Sequence, residues 1–169
     1  MTITLYAQPY NIDATGFYFD SIDHYQQRAS LCRDGFGQPA EEFEIQFIDG
    51  ERLDAALALA WDLHQGSFPA FLEAAETWDD DQKRRFIIAV GECGYDRDQC
   101  AQDPDAVEID LYQGITLCEL AGQFVEEGLF GDIPEPLRFY IDYDAIARDL
   151  SMDYSETEIA GETIIYRCA

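Results

Sequence analysis

Lysine is nearly missing from this chain: Lys83 stands alone beside nine arginines, against 35 aspartates and glutamates. With so little positive charge the basic footprint of a nucleic-acid binder is absent, and no nucleic acid is expected as a partner. Long apolar runs are missing too, since no stretch approaches the ~18 residues of a membrane span, and the N-terminal residues show neither a basic n-region nor an apolar h-region. A cytoplasmic protein with no membrane partner is expected. There is no GxxxxGK[ST] phosphate loop, and Gly35 and Gly37 are too close together to begin a dinucleotide fingerprint. His24 and His64 are the only histidines and lie in no HExxH context, so neither zinc nor a histidine-based triad is supported. The five cysteines (Cys32, Cys93, Cys100, Cys118 and Cys168) contain no CxxC pair, which excludes a zinc ribbon or disulfide framework and leaves them read as free thiols.

Two acidic stretches invite a catalytic or metal reading and fail it. The segment from Asp96 to Asp105 places Cys100 and Ala101 where a calcium loop needs an oxygen ligand and a glycine. Asp142 and Asp144 resemble a carboxylate pair, but nothing nearby supplies a nucleophile, and a solvated helix N-terminus accounts for them. No catalytic residue, metal site or cofactor is expected, and the chain does not read as an enzyme.

What is present is charge on a foldable chain. The formal net charge is −25 over 169 residues that are also 47% hydrophobic and 14% aromatic. Acidic disordered segments lack that apolar content, so this chain is expected to fold and carry its charge outside. Self-repulsion opposes compaction, and a basic partner is the leading reason to tolerate it. Duplex DNA carries one charge per ~1.7 Å of axis, so the net charge corresponds to roughly 42 Å of duplex, about 12 base pairs. Salt adaptation, a solubilising surface and cation binding compete as explanations. The acid is uneven, however: residues 101–169 hold 16 acidic against 3 basic residues, more than half of the net charge.

The expected fold class is α+β and elongated, with small antiparallel-sheet and helix units at both ends flanking a helical middle. Period-two alternation marks strands over 2–6, 16–19 and 42–48, and Ser21 caps a helix over 22–33. These form an N-terminal α+β domain over 1–50. In a helical middle domain over 51–103, Leu53, Leu57, Ala60, Trp61 and His64 repeat at helical spacing until Gly66; a second helix begins at Phe68, and Asp79, Asp80 and Asp81 open a third. Residues 93–105 read as an acidic loop. A C-terminal α+β domain over 104–169 begins with a strand near 107–112. There Thr116 and Glu119 form a capping box, Pro134 starts a short helix, 142–150 forms another, and a hairpin turns between 158 and 162. Glu119 and Glu126, like Asp142 and Asp149, are seven residues apart, so each pair lies on one helix face about 11 Å apart, a spacing able to imitate a row of phosphates.

The segment EEGLFGDIPEPLRFYIDYDAIARDL, residues 126–150, carries Gly131, Asp132, Ile133 and Pro134, then Tyr140, Ile141, Asp142 and Tyr143, then Arg148 and Asp149. This closely resembles the C-terminal motif of the ArdA antirestriction proteins. Tyr10 and Asn11, the strand at 41–45, the length and the acidity fit the same family, while Gly16-Phe17-Tyr18-Phe19 replaces the Gly-x-Trp often found there. The resemblance implies a multi-domain acidic homodimer that imitates bent B-form DNA, occupies the groove of a type I restriction-modification enzyme, and has no catalytic activity or cofactor. The apolar motif residues Leu129, Phe130, Ile133, Leu137, Tyr140 and Ile141, with Gly131, Pro134 and Tyr143, are assigned to buried fold or dimer contact. The mimicry is assigned to the exposed carboxylates Asp79, Asp80, Asp81, Glu119, Glu126, Glu127, Asp132, Glu135, Asp142, Asp144, Asp149, Asp153, Glu156 and Glu158. The alternative is an acidic module that sequesters another basic DNA-binding protein of the nucleoid type.

Overall fold

Alternation along Thr4–Pro9 turns Leu5, Ala7 and Pro9 inward, making β1 the central strand of a three-stranded antiparallel sheet. β2 (Phe17–Phe19) flanks it on one side and β3 (Phe43–Asp49) on the other, with Leu5 opposite both Phe19 and Phe47. The structure, a computed structural model, describes residues 2–168, which divide into two compact units between Val107 and Glu108. Both units are α+β, in agreement with the expected fold class.

In the first unit α1 (Ile22–Leu31) starts where the Ser21 hydroxyl accepts the His24 amide. Three helices follow: α2 (Arg52–Trp61), α3 (Phe68–Thr77) and α4 (Asp80–Gly91). Aromatic rings hold the unit together. Phe68 from α3 meets Phe19 and Tyr25 at centroid distances of 5.2 and 4.6 Å, so the helical stretch shares its core with the N-terminal sheet. Farther along, Trp61 stacks on Phe86 at 4.7 Å, with Trp78 and Phe71 at their edges. Each buried ring removes enough apolar surface to contribute about 1.5–3 kcal/mol. Within the same unit Lys83 Nζ donates to Asp54 Oδ1 at 2.7 Å, and both residues are buried.

Three local expectations need correction. α2 stops at Trp61 rather than near Gly66, because Asp62 adopts the left-handed conformation (φ 55°), and His64 lies beyond the helix, exposed. The stretch expected to be loop holds a short helix, α5 (Arg97–Gln102), and a 3₁₀ turn at Pro104–Ala106. Asp96 caps the first through the Gln99 amide, and Asp103 caps the second through the Asp105 and Ala106 amides. The cysteines are not all thiols: Cys32, Cys100 and Cys118 are free, whereas Cys93 and Cys168 are disulfide-bonded.

In the second unit β4 (Ile109–Gln113), β6 (Glu162–Cys168) and β5 (Ser155–Ile159) form an antiparallel sheet in the order β4-β6-β5. The β5–β6 hairpin turns through Ala160 (φ 56°) and Gly161 (φ 90°), two positive φ values in succession, which match the right-handed twist of the strands they join. α6 (Leu117–Glu126) and α8 (Tyr143–Leu150) accompany the sheet, with the short α7 (Glu135–Arg138) between them. Leu120, Phe124, Tyr154 and Ile165 form a core cluster, against which Tyr112, Ile115, Leu117 and Leu150 pack. Arg167 donates to Asp110 at 2.8 Å and lies 5.0 Å over the Tyr154 ring.

Candidate functional site

All fourteen carboxylates singled out from the sequence are exposed. They differ in what else holds them. Asp79 caps α4, accepting the Gln82 amide at 2.9 Å while the Gln82 side chain accepts the Asp79 amide at 3.1 Å. Asp80 and Asp81 fill the first turn of that helix, where its dipole favours acid, and lie 3.9 and 3.4 Å from Arg84 and Arg85 one turn on.

In the second unit Glu119 is also committed to a helix start. Its carboxylate accepts the Thr116 amide at 2.8 Å and the Thr116 hydroxyl at 2.9 Å, and those bonds hold it below the usual glutamate range. Asp142 caps α8 through the Ala145 amide at 2.9 Å, as a solvated helix N-terminus should. Asp144 and Asp149 lie on that helix, Asp153 in the turn after it, and Glu135 lies 3.8 Å from Arg138 on α7. Glu126 and Glu127 end α6, the pole at which the helix dipole disfavours acid. Asp132 lies in the link to α7. Glu156 and Glu158 are two residues apart on β5, so both stand on one face of the sheet about 7 Å apart, close to the spacing of neighbouring phosphates.

The motif backbone is explained locally. Gly128 (φ 78°) ends α6 in a Schellman arrangement, with the Leu129 amide donating to the Phe124 carbonyl at 3.0 Å and the Gly128 amide to Val125 at 3.2 Å. Gly131 (φ 86°) then redirects the chain toward Pro134, which precedes α7. The motif side chains do not form the buried core that their apolarity suggested. Leu129, Phe130, Leu137 and Tyr140 are exposed, Tyr140 to 84%, while Ile133, Ile141 and Tyr143 are half-buried and Gly131 and Pro134 are exposed. Between α6 and α8 only the four-residue α7 is helical, so Leu129, Phe130, Leu137 and Tyr140 have little helix face to pack from and stand exposed in a predominantly acidic unit.

Sequence reasoning missed a further acidic surface on the first unit. A cleft of about 810 Å³ is lined by Asp20, Asp23, Glu73 and Glu76, with Asp54 and apolar residues including Ile22 and Leu72. Asp20 belongs to α1's approach and Glu73 to α3, so no local sequence pattern links them. His24 holds the Asp20 carboxyl below the usual aspartate range through a 3.0 Å hydrogen bond. Among the described residues no group of histidine, cysteine and acidic side chains could hold a metal ion, and no helix is long and apolar enough to cross a membrane.

Outward carboxylates on two α+β units define a small acidic protein whose candidate site is an open charged surface. The family model of the ArdA antirestriction proteins matches residues 10–162, and the chain belongs to that family. No curated protein matches the chain. Membership makes the protein one that counters restriction.

Proposed function

We propose that the protein imitates duplex DNA and occupies the DNA-binding groove of a type I restriction-modification enzyme, so that incoming mobile DNA escapes cleavage in the cytoplasm. The observation that carries this reading is the outward placement of all fourteen carboxylates on a chain of net charge −25. Helix caps fix some of them, the i,i+4 partners of α4 fix others, and the β5 pair stands at a phosphate-like interval. The protein therefore acts by occupancy, as a homodimer joined through the apolar strip of Leu129, Phe130, Leu137 and Tyr140, and needs neither catalysis nor a cofactor.

Binding of the acidic surface to a basic groove releases counterions from both, so affinity falls steeply as salt rises. The test is DNA cleavage by purified type I enzymes titrated with this protein at low and moderate salt. Stoichiometric, salt-sensitive inhibition is expected. Cleavage unaffected across several such enzymes would overturn the reading and direct the search to other basic DNA-binding proteins.

A further inference from the structure

Charge is not the only unusual feature of the first unit's surface. Two loops, one between β1 and β2 and the other after α1, expose Ile12 to 96% and Phe36 to 84%, and Tyr10 and Leu31 beside them are exposed as well. Single exposed apolar residues are ordinary; several on adjoining loops mark an interaction surface. These loops do adjoin. The Asn11 side chain donates to Asp34 at 3.0 Å, and Gly35 lies so close to Asp13 that an added Cβ would meet the Asp13 Cβ at 3.4 Å. Ile12 and Phe36 are each one residue from that contact.

The loops are also fixed before any partner arrives. Asp34 accepts the Phe36 amide at 2.9 Å and the Gln38 amide at 2.8 Å, and Asn11 accepts the Asp13 amide at 3.2 Å. Gly37 (φ 81°) supplies a turn conformation that other residues adopt at a cost. A rigid mount spares the ordering entropy that a mobile loop loses on binding.

The surrounding charge selects the occupant. Asp13 and Asp34 border the apolar pair through the contacts above; Glu42 is placed there by its carbonyl, which accepts the Tyr10 amide at 3.1 Å, with Glu41 preceding it in the chain, while Arg33 precedes Asp34. A second copy of the chain already has its proposed contact at the strip of 129–140, and an anionic lipid surface would repel these carboxylates. A basic protein surface is attracted.

Resting on the proposed function above, we propose that Ile12 and Phe36 form an apolar anchor that seats in the rim of the basic groove toward which the carboxylates steer the protein. The two kinds of contact divide the work: exposed charge governs the rate of association and its salt dependence, while buried apolar anchors govern dissociation.

The experiment measures association and dissociation rates between the full-length protein and a purified type I restriction-modification enzyme at several salt concentrations. The parent is compared with the double variant Ile12→Ser/Phe36→Ser and with Glu41→Gln/Glu42→Gln, each checked for unchanged circular dichroism. The anchor variant is expected to dissociate on the order of tenfold faster with its association rate and salt dependence unchanged, whereas the carboxylate variant associates more slowly. Parent-like dissociation of the anchor variant would overturn the anchor and leave the mimic standing. Failure of the parent itself to bind would overturn both. A change in sedimentation coefficient caused by Ile12→Ser/Phe36→Ser would assign the surface to contact between copies, and would also overturn the anchor.

Discussion

Lys83 donates to Asp54 at 2.7 Å across 29 residues of sequence, joining α4 to α2 inside the first unit with both side chains buried. Removing either partner strands the other charge in a low-dielectric interior. Asp54→Ala is expected to cost about 3–5 kcal/mol of stability, and Lys83→Met a comparable amount. The double replacement Asp54→Leu/Lys83→Met restores apolar packing and should recover most of that loss. Denaturant unfolding of the three variants checks this, and a double variant no more stable than Asp54→Ala would contradict it.

The capping box of α6 gives a pH prediction. Because the Thr116 amide and hydroxyl hold the Glu119 carboxyl below its unfolded value of about 4.3, the ionised group stabilises the fold above that pH, and this contribution is lost as pH falls through the lower, folded value. The stability difference between parent and Glu119→Ala should therefore be constant near neutrality and shrink below about pH 4.3. Thr116→Ala removes the other half of the box and should cost about 1 kcal/mol. Thermal unfolding followed against pH measures both.

Neutralising carboxylates singly and together should give different outcomes. Asp153→Asn alone removes one exposed charge, worth about 0–1 kcal/mol, and should leave inhibition of a type I enzyme nearly unchanged. Neutralising Asp142, Asp144, Asp149, Asp153, Glu156 and Glu158 together, as Asn or Gln, should weaken inhibition by on the order of tenfold or more and flatten its salt dependence. Asn at 142 keeps an acceptor for the Ala145 amide, so α8 retains its cap. A folded block variant that inhibits as the parent does would contradict charge mimicry.

Gly131 should resist substitution for a backbone reason. Nothing lies within 4 Å of a Cβ built there, yet its φ of 86° is strained for any residue with a side chain. Gly131→Ala is expected to cost about 1–3 kcal/mol locally. Hydrogen exchange should show the loss at the amides of 129–141 while the α4 amides of the first unit remain protected.

Local signals in the sequence were legible where the physics is local. The Thr116–Glu119 box, the Ser21 cap, the acid-first start of α4 and the hairpin turn between 158 and 162 all depend on a few neighbouring residues, and each stands as expected. Exposure of the fourteen carboxylates follows from the cost of burying charge. The Asp54–Lys83 pair was not legible, because helical periodicity marks which face is buried but not which charged residues will meet across it. Asp62 ended α2 through a conformation that aspartate tolerates but does not announce. For the apolar residues of 129–140 the sequence left fold and dimer contact open, because hydrophobicity reports that a side chain avoids water, not whether its own chain or another covers it; their exposure in the single chain leaves contact with a second chain.

Because Lys83 is interior and has no lysine companion elsewhere in the sequence, the exterior is chemically one-sided: it offers many activatable carboxylates and no lysine amine to receive them. Carbodiimide treatment of a complex would therefore form amide bonds from this protein's acids to lysines of whatever it has bound, while copies of the folded chain could not couple to one another through lysine. The covalent map so obtained would read in one direction, from carboxylate donor to partner amine.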